Sequence, residues 1–166
     1  FGHRLLMDCI VPGGVTTDID SEARAKIAQQ SIVMEIEVLR LRAIYDEHAG
    51  LQDRFQSAGI VAPELATRLG LCGLAGRASG QERDLRVDFP CSPYDQLGVR
   101  PAFNARGDVA ARIAVRFDEL SESLRLIRLT VDELPEGEVH LPLPRVDGEG
   151  DGFGVGWVEG WRGEVM

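Results

Sequence analysis

The sequence predicts a mainly α fold, a helical bundle built on two long helices near residues 20–49 and 108–134. Three observations lead there. Apolar residues recur at steps of three and four over both segments. Glycine and proline gather between and after them, in an irregular glycine-rich loop region and a small C-terminal β segment. The chain is 44% hydrophobic and 27% charged over 166 residues, the balance of one folded domain rather than a disordered chain.

Residues 1–8 read as the end of a helix, and Pro12, Gly13 and Gly14 make Ile10–Thr17 a loop. Several N-cap candidates stand around Asp18–Ser21. The helix that follows carries two apolar stripes. One is Ala25, Ala28, Ile32, Ile36 and Leu39; the other is Ile27, Met34, Val38, Leu41 and Tyr45. A face that wide predicts burial on more than one side. Gly50 suits the stop. A short helix is expected over 63–69, with Pro63 in its first turn and Gly70 at its exit.

Residues 70–101 have little periodicity and many glycines, a pattern of functional or poorly ordered loops. The second long helix has the clearest repeat, Ile113, Phe117, Leu120, Leu124, Ile127, Val131 and Leu134. Asp108 is its N-cap candidate, and Pro135–Gly137 end it. Its other side, with Arg112, Arg116, Glu119, Glu122, Ser123 and Asp132, reads as solvated or interfacial. The expected organisation is a helical scaffold over 1–137, an acidic Pro/Gly linker over 138–152, and a β segment over 153–166 with its Gly-Trp-Arg-Gly-Glu element.

Composition and motifs exclude several functions. Eighteen basic against 27 acidic residues give a net charge of −9, which argues against nucleic acid as a partner. No apolar run reaches the ~18 residues of a spanning helix. Phe1 opens the chain without a signal-peptide pattern, so it reads as a cut-out of something longer or a processed product. Cys9, Cys72 and Cys91 are an odd number at wide spacing, consistent with reduced thiols. Gly154-x-Gly156 lacks the third glycine of a dinucleotide loop, because position 159 is Glu159. Ser79 in Gly76–Gly80 is one place late for a nucleophile elbow. Asp46, Glu47 and His48 are consecutive on a helix and point different ways. His48 reads as a cation at the helix C-terminus.

Two arginine-bearing pieces stand out. Arg77, Ser79, Asp84 and Arg86 lie in the glycine-rich region, where backbone amides and fixed positive charge can meet a ligand or cluster. The plainer reading is pairing with local carboxylates such as Asp84 and Asp88. Arg162 stands between Trp161 and Gly163, a cation in an apolar setting.

Four ordered stretches resemble one known family. These are Phe1–Asp8 with Val11-Pro12-Gly13-Gly14-Val15, and then Gly73–Asp95 with Arg77-Ala78-Ser79-Gly80, Asp84-Leu85-Arg86 and Pro93-Tyr94-Asp95. The third is Gly107–Glu138, with Glu122-Ser123-Leu124-Arg125 and Pro135-Glu136-Gly137. The fourth is Val158–Glu164. Together they are similar to the 49 kDa subunit of respiratory complex I and the large subunit of group 4 nickel–iron hydrogenases. The resemblance implies an internal portion of an oxidoreductase subunit, NADH:quinone oxidoreductase-like or hydrogenase-like. Electrons would pass between an iron–sulfur cluster and quinone or a metal centre.

By the same resemblance Arg162 stands beside the redox centre, and Arg77, Ser79 and Asp84 belong to a cofactor-facing loop. Both CxxC metal motifs of the hydrogenases are absent from this sequence, so no metal ligand and no cofactor is assigned to this chain. Nickel–iron, an iron–sulfur cluster, quinone and NAD(H) belong to the whole complex. The implied partners are other subunits of a membrane-attached complex, above all the iron–sulfur small subunit. The implied location is peripheral, on the cytoplasmic inner face of the membrane. Taken alone, the chain is expected to be catalytically silent and to bury exposed apolar helix faces in a homodimer. The other reading is an accessory or assembly domain that keeps the scaffold without redox chemistry.

Overall fold

The structure, a computed structural model, describes residues 7–142, 154–160 and 163–165. Two short strands, β1 (Ile10–Val11) and β2 (Gly14–Val15), pair antiparallel in the register Ile10↔Val15 and Val11↔Gly14. Gly13 turns them at φ 94°, a conformation that favours glycine. A Cβ there would stand 2.3 Å from the carbonyl oxygen of Leu141, because residues 139–141 lie directly alongside. The Val15 amide donates to Val139 O at 2.9 Å and the Leu141 amide to Gly13 O at 3.0 Å. What reads as a loop in sequence is therefore a hairpin joined by a return segment 124 residues later (139 − 15).

Helix α1 (Ser21–Glu47) starts on Asp20, whose carboxylate accepts the Ala23 amide at 2.8 Å. It ends three residues before Gly50, which lies inside α2 (Ala49–Phe55). The break is at His48, with φ −86° and ψ 84°. Its Nδ1 accepts the Leu51 amide at 3.2 Å, so the imidazole caps the start of α2. Helix α3 (Pro63–Leu69) begins with proline and exits through left-handed Gly70, as the sequence predicts. Two short helices follow in the glycine-rich region, α4 (Gly73–Arg77) and α5 (Leu85–Asp88). Helix α6 (Val109–Asp132) is capped by Asp108, which accepts the Ala111 amide at 2.7 Å. Strands β3 (Val158–Gly160) and β4 (Gly163–Val165) form a second antiparallel hairpin. The fold is mainly α, with strands confined to these two hairpins among the described residues. None of the described helices is long and apolar enough to cross a membrane.

Helices α1 and α6 run antiparallel. Arg24 Nη1 donates to Leu134 O at 2.9 Å, Arg128 pairs with Glu35 at 2.9 Å, and Arg42 pairs with Asp118 at 2.6 Å. The face of α1 toward α6 carries Ile27, Ser31, Glu35, Val38, Arg42 and Tyr45, half polar and at helical spacing. Burial on more than one side does not occur among the described residues. Ile32, Met34, Ile36, Leu39 and Leu41 are exposed, Leu39 at 56%. Among the described residues only α6 packs along the length of α1, and the ion pairs choose which face meets it.

On α6, Leu124 and Val131 of the expected stripe are buried, but Leu120 and Ile127 are exposed. Glu122, on the side expected to be solvated or interfacial, is only 8% exposed. It accepts the Arg100 amide at 2.9 Å and two bonds from Arg125 at 2.8 and 2.6 Å. That face is interfacial because the glycine-rich region folds onto it.

The contact is close because its residues are small: Ala78, Ala102, Ala111 and Val115, with Leu74 against them. Backbone bonds complete the layer. The Asn104 amide donates to Arg77 O at 2.9 Å, the Gly107 amide to Ala78 O at 2.8 Å, and the Val61 amide to Gly107 O at 3.0 Å. This layer sets Arg77 in place over α6.

Candidate functional site

The cleft of interest has a volume of about 720 Å³ and opens between α4, α5, α6 and β3. Its size falls in the range of small-molecule sites. Arg77 enters it from the last residue of α4 and is only 4% exposed. A guanidinium removed from water needs its donors satisfied. Nε donates to Glu119 Oε1 at 2.7 Å, and Nη1 donates to Arg83 O at 2.9 Å. Nη2 stands 2.7 Å from Glu119 Oε1 and 2.6 Å from Glu159 Oε1. Burial works to lower the Arg77 pKa, but the bonds and charges of Glu159 and Glu119 outweigh it and raise the pKa, so Arg77 stays charged.

Asp84 is 1% exposed and lies beneath the cleft wall as the N-cap of α5. It accepts the Arg86 amide at 3.0 Å, Arg86 Nε at 2.9 Å and Arg86 Nη2 at 2.6 Å. Burial would raise its pKa; the Arg86 bonds and charge, with a smaller contribution from Arg77, lower it below the usual carboxylate value. The Arg86 pKa is raised in turn, first by its bond to Asp84. Ser79 is also 1% exposed, and its amide donates to Gly76 O at 2.9 Å. Of the four loop residues singled out by sequence, Arg77 and Arg86 therefore line the cleft. Ser79 and Asp84 are buried behind it. Arg162 lies outside the described residues, as do residues 1–6 and 143–153.

Pairing of Arg86 with Asp84 is local, as the plainer sequence reading has it. Arg77 is different. Its carboxylate partners come from α6 and β3, 42 residues away in the case of Glu119. Neither Glu119 nor Glu159 stands out in sequence as a partner of Arg77. The available signal was the sequence similarity around Glu159 and the helical phase of Arg116, Glu119 and Ser123, which line one wall together. The lining also holds Phe89 and Trp157, ring centroids 4.8 Å apart.

A nickel–iron centre needs converging thiolates. Cys9 and Cys72 are half-buried and Cys91 is exposed, all three free. Among the described residues no three His, Cys, Asp or Glu side chains converge as a metal-holding set. The donors of these residues do not fit such a centre. The cleft brings the Arg77, Arg86 and Arg116 guanidinium groups beside an aromatic pair, with Arg77 offset by Glu119 and Glu159 and Arg86 offset by Asp84.

The model of the respiratory-chain NADH dehydrogenase 49 kDa subunit matches residues 1–148. An NADH-quinone oxidoreductase subunit from Bacteroides thetaiotaomicron is 33% identical over 98% of this chain and 31% of its own length. The alpha subunit of a membrane-bound hydrogenase from Pyrococcus furiosus is 30% identical over 99% of this chain and 42% of its own length. A solved archaeal respiratory membrane complex, the membrane-bound sulfane sulfur reductase, contains a chain of the same fold. It aligns with a TM-score of 0.75 at 24% identity, over 84% of this chain and 38% of that one. The chain thus spans about a third to two fifths of these relatives.

Proposed function

The chain belongs to the respiratory-chain NADH dehydrogenase 49 kDa subunit family, and from that premise we propose that it is a scaffold-and-cleft portion of a redox subunit. The whole protein takes part in electron transfer between an iron–sulfur cluster and quinone or a metal centre. It works with other subunits of a membrane-attached complex, the iron–sulfur small subunit first among them, and sits peripherally on the inner face. NAD(H) enters at the level of the complex. The long helices are scaffold. The arginine-bearing loop tunes the electrostatics near the redox group.

The observation that carries this reading is Arg77: a charged guanidinium 4% exposed, at the wall of a cleft, in the glycine-rich region that resembles the family's loop. A fixed cation favours the reduced, more negative state of a nearby cluster. Its field is several times stronger at low dielectric than in water. Arg77 is itself offset by Glu119 and Glu159, so by resemblance this effect is assigned to Arg162.

The test is Arg162→Ala in the full-length protein within its complex. Turnover is expected to fall while the thermal midpoint stays unchanged. Undiminished turnover would overturn the role.

A further inference from the structure

A lone two-stranded hairpin is marginal in water, so β3–β4 must be held by what it rests on. Three contacts do this from separate positions. Glu159 on β3 receives Arg77 Nη2 at 2.6 Å, and its other oxygen accepts the Leu85 amide at 3.5 Å. Gly163 on β4 lies against Cys72. A Cβ added there would stand 2.8 Å from Cys72 Sγ, and the φ of +126° disfavours any side chain. Trp157, one residue before β3, packs on Phe89.

Arg77 is already aimed before the hairpin contributes anything. Glu119 holds Nε and the Arg83 carbonyl holds Nη1, both from the scaffold. Nη2 is thereby directed at Glu159. A planar fork with five donors can meet these three acceptors at once, and a lysine ammonium cannot hold the same plane.

We propose that Arg77 is a positioning residue: with the Cys72–Gly163 contact it clamps both strands of the C-terminal hairpin to the helical scaffold, and so fixes the wall of the cleft that the hairpin forms. One strand is held by charge and the other by close packing. The cleft keeps its shape only while both hold. The functional half of this inference rests on the redox reading above; the clamp itself does not.

The experiment uses the full-length protein in its complex, with hydrogen exchange and steady-state turnover read on the same samples. Glu159→Gln keeps the shape and removes the charge. Exchange of the β3 and β4 amides should accelerate by about tenfold or more, the worth of one charge-assisted bond, while the centre of α6 is unaffected. Turnover at saturating substrate should fall at least about tenfold with KM unchanged, since misplacement acts on geometry more than on binding. Arg77→Lys should lie between wild type and Arg77→Gln in both readouts. Gly163→Ala should loosen the same amides from the other strand, which keeps the test alive if Glu159→Gln does not accumulate. Unchanged hairpin exchange in Glu159→Gln would overturn the clamp. A loosened hairpin with undiminished turnover would overturn the positioning role, and would leave the redox reading to be decided by Arg162→Ala.

Discussion

Replacing Arg77 by Met removes the cation between Glu119 and Glu159 and nearly conserves volume. Little of the effect then comes from a cavity. Two carboxylates lose bonds of 2.6–2.7 Å and face each other across the space the guanidinium filled. Breaking a buried pair from one side costs about 3–5 kcal/mol. Here the carboxylate side chains keep 22% and 16% exposure and can turn partly to water. The low end applies, about 3 kcal/mol. At roughly 2–4 °C per kcal/mol for a domain of this size, the thermal midpoint drops by about 6–12 °C. The assay is thermal and urea unfolding followed by circular dichroism. Adding Glu119→Gln and Glu159→Gln to Arg77→Met should recover part of the loss, because removing a whole charged triad is close to neutral. A single-variant loss under about 1 kcal/mol, or no recovery in the triple variant, would refute the argument that Arg77 holds this interface by charge.

Asp108→Ala should destabilise by about 2–4 kcal/mol in urea unfolding, because one carboxylate serves two amides, Ala111 at 2.7 Å as a helix cap and Ser57 at 3.0 Å across the fold. Gly107→Ala should cost more than ~2 kcal/mol, since a Cβ at φ +69° would stand 2.0 Å from the Val61 carbonyl oxygen; a midpoint equal to wild type would contradict the geometry. The folded-state pKa values of Asp84, Asp108 and Glu122 all lie below their ordinary values, so their contribution is complete above the unfolded pKa of about 4 and is lost as pH falls through the lower folded values. Unfolding free energy should therefore be flat from neutral pH to about 5 and fall in acid, less steeply in Asp84→Asn.

The legible parts of the fold are those whose signals are local. The 3- and 4-residue spacing shows both long helices. Asp108, Pro63 with Gly70, and the Asp84–Arg86 pair are read from neighbours within a few positions. Sequence and structure part where a local signal has a competitor. Gly50 suits a helix stop, yet His48 breaks the helix first by capping the next one. The apolar width of α1 suggests burial all round, but ion pairs to Glu35 and Arg42 turn a mixed face toward α6. Of the candidate site, Arg77 and Asp84 are visible as charges in a glycine-rich loop. Glu119 and Glu159 are not, because a charge pair across dozens of residues leaves no periodicity.

By itself the sequence determined the fold class, the two long helices, the Asp108 cap, the Pro63 and Gly70 ends of α3, and the four ordered stretches that mark the family. Each depends on backbone preferences or spacing within a few residues, which composition and order specify directly. The tertiary structure alone decided which face of α1 is covered, that Glu122 is buried, and that Arg77 joins α4, α6 and β3 at the cleft. Those outcomes depend on which surfaces meet. The small core of Ala78, Ala102, Ala111 and Val115 allows the glycine-rich region close enough to α6 to bring a guanidinium between two distant carboxylates. No residue carries that distance in its own identity.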